Sequence, residues 1–311
     1  MVFSDLQQSS SRPAPAPLIV AVWLVTLLAS TLPDAMWGQL VGRATPWLFW
    51  GKATLLVVLI ILGWVWKRIQ PVRAYFILLL VNILAWGCLP WIRTAPVWSR
   101  WEGQASWVVG ILGIQLLKIG IAILTIVALL AVMRRRQDAL LVRGRLDAAA
   151  EPIRWLGLKD PASWKIFGPI VAVIAAAIIL VVLVLTNQPS TTTLVRALPL
   201  LPAALLFSAT NAFSEEVSYR SSLLAPLHDV MGKGHAMALT AVFFGLAHYT
   251  GGVPLAMLPT ILMTGFLGWL MAKSMLETRG CFWAWFIHLV NDIPVFFFLA
   301  MGAVGPTGQG R

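Results

Sequence analysis

Long apolar runs fill most of this chain and limit what it can fold into. The run from residue 167 to residue 186, for example, contains no charged side chain. Such a run matches the roughly 20 apolar residues that a helix needs to cross a bilayer. In lipid, only helices and closed barrels satisfy every backbone hydrogen-bonding group, and the sequence has no alternating strand pattern. It therefore predicts an all-α, polytopic membrane protein with about nine transmembrane segments.

The predicted segments are separated by loops that contain charged, proline or glycine residues. In chain order they cover about residues 18–32, 47–66, 74–92, 105–133, 167–186, 194–215, 235–249, 253–272 and 281–301. The fourth is longer than a bilayer requires, so we expect it to begin near Lys118 or to tilt. Lys118 itself is expected to reach towards the headgroups or to pair with a helix neighbour.

Composition and charge agree with a membrane protein. The chain is 59% hydrophobic and 11% charged, whereas a soluble domain has about 25% charged residues. A net charge of +11 would suggest nucleic-acid binding in a soluble protein, but here the basic residues cluster in loops, as the positive-inside rule describes. We therefore expect the lipid bilayer as a partner and no nucleic acid. Cys88 and Cys281 lie in separate apolar stretches and form no metal-binding or disulfide pattern.

Changes in composition divide the chain into four predicted regions. Residues 1–17 are rich in Pro and Ser and are expected to form a disordered tail. Residues 18–133 form an N-terminal membrane region of about four spans. Residues 134–167 form a basic cytoplasmic linker, whose leucines and tryptophan suggest short helices in the headgroup region. Residues 168–311 form a C-terminal membrane domain.

The orientation in the membrane follows from the charges of the loops. The loops at 67–73 and 134–167 are both basic, which predicts that both face the cytoplasm. About two spans separate them, so the two assignments agree. This orientation places the N-terminus inside the cell and Glu215 at the cytoplasmic end of the sixth segment.

One short stretch places two acidic side chains and a basic one at the end of an apolar run. It reads SEEVSYR and covers residues 214–220. Ionisable groups at membrane depth are costly and are usually paired and functional. Glu216 and Arg220 are spaced i, i+4 and can form an ion pair, while Glu215 points about 100° away on the helix. A charge cluster that merely ends a helix remains the alternative.

Further polar residues lie inside the apolar runs that follow. His248 ends one such run, and His288, Asn291 and Asp292 fall within about one helical turn of another. Each has a simpler explanation, since a buried His is commonly a hydrogen-bonded core residue and Asp292 can cap the helix before Pro294. Their joint occurrence with two glutamates favours a functional cluster. A carboxylate and an imidazole that activate water, with donors for an oxyanion, are what hydrolysis requires.

Three motifs in this order resemble those of the CPBP intramembrane endopeptidases, which include the type II CAAX prenyl proteases and bacteriocin-processing proteins. The motifs are Glu215-Glu216-x-x-x-Arg220, Phe244-x-x-x-His248 and His288-x-x-x-Asp292. The resemblance covers roughly residues 168–311. It implies a helical membrane core that hydrolyses peptide bonds inside the bilayer. It also implies an active site open to the cytoplasm of a bacterial inner membrane.

The resemblance also assigns roles to the motif residues. Glu215 corresponds to the catalytic glutamate that activates water together with His248. Glu216 and Arg220 correspond to a structural ion pair, and His288 with residue 292 to the oxyanion-stabilising set. The CAAX proteases carry Asn where this chain has Asp292. Because an ionised Asp cannot donate a hydrogen bond, Asp292 must be protonated, orient His288 or help to bind a metal.

Two questions stay open at this point. Glu215, His248, His288 and Asp292 are enough ligands for zinc, but the sequence has no His-Glu-x-x-His pair, so we favour a mechanism without a metal or another cofactor. The alternative function is a non-catalytic membrane scaffold or bacteriocin-immunity protein of the same family. A transporter is disfavoured, because the polar residues are not divided between two repeats. The expected partner is a membrane-associated protein or peptide substrate.

Overall fold

The computed structural model describes residues 14–42, 45–133 and 135–305. Most of the predicted tail, residues 1–13, therefore lies outside the described residues, as does Arg134 of the basic linker. In chain order the α-helices are α1 (Ala16–Ala29), α2 (Leu32–Val41), α3 (Pro46–Val65), α4 (Arg73–Thr94), α5 (Pro96–Gln104), α6 (Trp107–Met133), α7 (Trp164–Asn187), α8 (Thr191–Ala197), α9 (Leu201–Glu215), α10 (Ser222–Met231), α11 (Lys233–Ala247), α12 (Pro254–Thr278) and α13 (Phe282–Val304).

Strand is almost absent from the described residues. The two short strands β1 (Ala149–Ala150) and β2 (Ala162–Ser163) form one antiparallel pair. Seven helical stretches are long and apolar enough to cross a membrane, and α1 with α2, bent by 51°, would give an eighth. The predicted polytopic all-α membrane protein is confirmed. The segment predicted at 235–249 is the helix α11, which has 15 residues and is shorter than the roughly 20 that a span needs.

The fourth predicted segment differs from the structure at its start. We expected it to begin near Lys118 or to tilt, but α6 begins at Trp107 and has 27 residues. Lys118 thus lies near the middle of an otherwise uncharged helix. The expected late start is wrong, because Lys118 is paired within the protein and the helix can continue on both sides of it. The tilt stays a prediction.

The described residues group into two compact units. The first contains those among residues 1–80 and residues 222–269. Within it, α10 packs against α11, and α1 contacts α11. Gly245 on α11 lies so close to α12 that an added Cβ would be 2.5 Å from the backbone oxygen of Ile261. Only glycine permits this approach, because real Cβ atoms essentially never come within 3.0 Å of another heavy atom.

The second unit contains residues 81–221 and the described residues from 270 onwards. Here α13 packs against α9 and α7, and α6 packs against α9. Phe207 of α9 and Phe296 of α13 are buried together with Ala204, and Trp107 of α6 packs against this cluster. The indole nitrogen of Trp285 donates to the Ala209 backbone oxygen at 3.0 Å. These contacts hold α9 and α13 side by side, and both helices carry motif residues.

The described part of the basic linker is ordered and packs within the second unit. We expected short helices between 134 and 167, but the described part before α7 has only one 3₁₀ turn, at Arg154–Leu156. Its backbone is instead bonded to the end of α12 and the start of α13. Arg145 N donates to the Thr278 oxygen at 2.8 Å, and Cys281 N donates to the Val142 oxygen at 2.9 Å. Backbone pairing across the sequence thus replaces the helical bonds that the amphipathic pattern suggested.

Candidate active site

A distorted turn of helix carries the first motif. Where α9 ends at Glu215, the chain continues as a π-helical turn, Glu216–Ser221, and then as α10. π-Helical turns are rare in proteins, and those that occur are frequently found at functional sites. The Ser218 backbone oxygen accepts a hydrogen bond of 2.7 Å from the Asn82 side chain of α4. A side chain from a distant helix therefore supports the backbone where the ordinary helical register is interrupted.

Glu216 is bonded by two different partners. Arg220 Nη1 lies 2.9 Å from Glu216 Oε1, and His288 Nδ1 lies 2.6 Å from the same oxygen. Arg220 and Glu216 are 0% and 1% exposed, so both charges are shielded from water and depend on this pairing. Because the contact with Glu216 is made through Nδ1, it turns the other nitrogen of His288 towards the remaining carboxylates.

Glu215 lies between a lysine and His288. Lys118 Nζ is 3.1 Å from Glu215 Oε1, and His288 Nε2 is 3.7 Å from Glu215 Oε2. The two carboxylate oxygens thus face different neighbours. Glu215 is 9% exposed as a residue, which places it at the edge of the protein interior.

Asp292 joins the same cluster through Asn211. The Asn211 amide donates from Nδ2 to Asp292 Oδ2 at 2.8 Å, and Asp292 Oδ2 lies 3.6 Å from His288 Nε2. Asn211 Oδ1 in turn accepts a hydrogen bond from Lys118. An acceptor role for Asp292 agrees with an ionised carboxylate, which cannot donate a hydrogen bond.

Asn291 is buried beside this cluster on α13. It is 4% exposed, and neither polar atom of its side chain has a hydrogen-bond partner among the described residues. A buried amide without a partner costs about 1–3 kcal/mol. The Asn291 amide is therefore a candidate to form hydrogen bonds with a substrate or a water molecule.

The second motif belongs to the first compact unit. His248 directly follows α11 and is partly buried. Its Nδ1 lies 2.9 Å from the Phe244 backbone oxygen, and the rings of Phe244 and His248 pack edge to face with centroids 4.5 Å apart. The second unit brings together Glu215, Glu216 and His288 with the other residues described above. The cooperation of His248 with Glu215 remains a prediction from the order of the motifs.

The carboxylates and imidazoles of this cluster are of the types that bind zinc. In residues 14–42, 45–133 and 135–305, no group of three or more His, Cys, Asp or Glu side chains is arranged to hold a metal ion. The Lys118 ammonium also occupies one oxygen of Glu215 and would repel a cation bound there. As placed, the described side chains do not form a zinc centre. Metal independence remains a prediction.

Two residues of the cluster were not assigned to it from the sequence. Lys118 was expected to reach the headgroups or to pair with a helix neighbour, and Asn211 was not considered. The signal for Lys118 was its position as a lone charge inside a long apolar helix, which marks a buried partner. The signal for Asn211 was its i, i+4 spacing to Glu215, which places both on one helical face.

Comparison with known proteins gives a match to a family model. Residues 197–294 match the family model described as "Type II CAAX prenyl endopeptidase Rce1-like". The matched segment includes all three motifs and excludes Lys118. No curated protein and no solved structure matches the chain. Residues 197–294 are therefore similar to the Rce1-like type II CAAX prenyl endopeptidase family, and this match confirms the resemblance to the CPBP family that the three motifs indicated.

Proposed function

We propose that this integral membrane protein is an intramembrane endopeptidase that hydrolyses a peptide bond of a membrane-associated protein or peptide. The family match suggests a CAAX-type protease. The observation that carries the finer proposal is the cluster in which Glu215 and Asp292 both lie near His288 Nε2, at 3.7 and 3.6 Å. This arrangement supports water activation by a glutamate without cofactor chemistry.

Glu215 acts as the general base in this proposal. Its Oε2 oxygen takes a proton from a water molecule, and the resulting hydroxide forms a bond to the carbon of the scissile carbonyl. When the carbon–nitrogen bond breaks, the proton passes from Glu215 to the departing amine. His248 shares this proton, a role that rests on the resemblance of the second motif. General acid–base catalysis of this kind typically contributes about 10²–10⁴-fold to the rate.

The oxyanion is stabilised from α13. His288 donates from Nε2, while Glu216 holds its Nδ1 at 2.6 Å. Asp292, whose Oδ2 accepts from Asn211 and lies 3.6 Å from His288 Nε2, orients the imidazole by attraction of charge. Asn291 then supplies the neutral amide donor that an aspartate at residue 292 cannot supply.

The decisive experiment compares cells that express the wild-type chain with cells that express Glu215→Gln. Glutamine keeps an oxygen that can accept from Lys118, but it cannot take a proton. We expect a folded, membrane-inserted variant and a loss of cleavage products from membrane peptides, measured by quantitative proteomics of peptide ends. His248→Ala and His288→Ala should lose the same products. Combining the three changes should cost little more than one, because residues that act as a unit are not additive.

An exposed glutamate provides the control. Glu151 lies in the linker, in contact with Glu277 but away from the cluster, and Glu151→Gln should leave the cleavage pattern unchanged. If Glu215→Gln were as active as the wild type in folded form, the chain would instead act as a scaffold or immunity protein.

Chelation tests the metal question separately. Because Lys118 occupies one Glu215 oxygen, we expect the purified protein to keep its activity after incubation with a chelator. Activity that disappears on chelation and returns with added zinc would assign the chemistry to a metal centre.

A further inference from the structure

We propose that Lys118, which lies outside the family-matched segment, is a positioning residue of the active site that fixes the reactive orientation of Glu215. This inference rests on the proposed function, because it assigns Lys118 a task in that reaction. Lys118 comes from α6, whereas the matched segment begins at residue 197. The chain preceding the matched domain would thus complete its active site.

The burial of Lys118 requires a partner. It is the only charged residue between the ends of α6, and its side chain is 18% exposed. A lysine at the centre of a transmembrane helix is costly unless it is paired or reaches water. No acidic residue of α6 is available for an i, i+4 pair, so the partner has to come from another helix.

Three groups from two other helices surround the ammonium. Lys118 donates to Glu215 Oε1 at 3.1 Å and to Asn211 Oδ1, and both acceptors lie on α9. Its Nζ also lies 5.3 Å from the ring centroid of Trp86 on α4, a distance at which a cation is attracted to an aromatic face. The head group of Lys118 is therefore held in one place.

The position of Lys118 gives the two oxygens of the Glu215 carboxylate different neighbours. Oε1 is held by Lys118, so Oε2 is the oxygen turned towards His288 Nε2. A carboxylate rotates readily about its last bond, because the preferred torsion angles there are broad and roughly two-fold. The ammonium restricts this rotation and keeps one oxygen of the carboxylate directed at the proposed water.

Lys118 also orients Asp292 through Asn211. Because Asn211 Oδ1 accepts from Lys118, the amide nitrogen of Asn211 is the group that faces Asp292. One ammonium thereby sets the direction of two carboxylates, one directly and one through an amide. A lysine that only neutralised buried charge would not need this chain of directed bonds.

The first test measures the pair without using proteolysis. The full-length protein is purified in detergent as the wild type, Lys118→Met, Glu215→Gln and the double variant. Lys165→Met, which removes an exposed lysine at the start of α7, is the control and should unfold at the wild-type temperature. We expect the unfolding midpoint of the double variant to differ by about 3 °C or more from the sum of the single changes. Additive shifts would overturn the proposal.

The second test separates positioning from stability. The probe is a quenched fluorogenic peptide that spans a cleavage site lost in Glu215→Gln cells. We expect Lys118→Met to lower kcat about 100-fold with little change in KM, because small misplacements of reacting groups cost rates of this order. Lys118→Arg, which keeps the charge, should retain more activity than Lys118→Met. A wild-type kcat in folded Lys118→Met would overturn the positioning role.

Chemical rescue provides the sharpest readout. Lys118→Ala leaves space beside Glu215. Added ethylammonium should raise kcat of this variant at least about tenfold, whereas ethanol, which is similar in size, should not. Equal rescue by both would show that Lys118 only fills space and would overturn the proposal. If Glu215→Gln itself proved active, the proposed function would fail, and the thermal coupling would still report separately on the Lys118–Glu215 pair.

Discussion

Glu216 contacts both the Arg220 guanidinium and the His288 imidazole. Its Oε1 oxygen is 2.9 Å from Arg220 Nη1 and 2.6 Å from His288 Nδ1. The i, i+4 spacing predicted only the first of these contacts. The second gives Glu216 a task beyond the structural ion pair, because it fixes which nitrogen of His288 faces Glu215.

At this scale, Arg220→Ala should destabilise the protein. The change leaves Glu216 buried without the guanidinium, and breaking one side of a buried pair costs about 3–5 kcal/mol. We expect an unfolding midpoint at least about 6 °C lower in detergent, measured by thermal unfolding, and low protein levels in cells. Arg196→Ala is the matched control, since Arg196 is exposed at the end of α8. A wild-type midpoint and wild-type activity for Arg220→Ala would mean that the pair is not structural.

Among the elements, the basic linker is held by a close approach of two glycines. A Cβ on Gly280 would lie 2.4 Å from the Val142 oxygen and 2.5 Å from the Gly144 Cα. Both are backbone atoms and cannot move as easily as a flexible side chain. Gly144 also has a φ of +78°, which glycine adopts without strain.

Gly280→Ala should therefore detach this part of the linker. Forcing the added methyl group into the contact costs roughly 1–3 kcal/mol and separates the Val142 oxygen from Cys281 N. We expect trypsin to cut faster after Arg143 and Arg145, as measured by limited proteolysis and mass spectrometry. Gly302→Ala is the control, because nothing lies within 4 Å of a Cβ added there. Equal cleavage rates in the two variants would contradict the packing of the linker against α12 and α13.

For the whole molecule, the orientation in the membrane is the property to test. The basic linker predicts a cytoplasmic position for Gln137, and Asn187, at the far end of the next span, should then face outwards. In a chain without its two native cysteines, Gln137→Cys should react with an impermeant thiol label only after the cells are permeabilised. Asn187→Cys, the matched control, should react in intact cells. The reverse pattern would place the active site on the opposite side of the membrane.

The sequence by itself determined most of the membrane-spanning helices and the residues that the three motifs select. Both depend on local properties, since hydropathy is summed along one segment and the spacing between Glu216 and Arg220 lies within one turn. The order of the three motifs added the resemblance to a family, which the match over residues 197–294 supports.

Only the tertiary structure decided how distant residues meet. Lys118 and Glu215 are 97 positions apart, and Glu216 and His288 are 72 apart, so no local pattern specifies their contacts. The π-helical turn and the ordered linker depend in the same way on partners such as Asn82 and Gly280. Pairing between helices, which hydropathy does not encode, allows a lysine to remain in the middle of α6, because a charge in an apolar layer is tolerated where an opposite charge meets it.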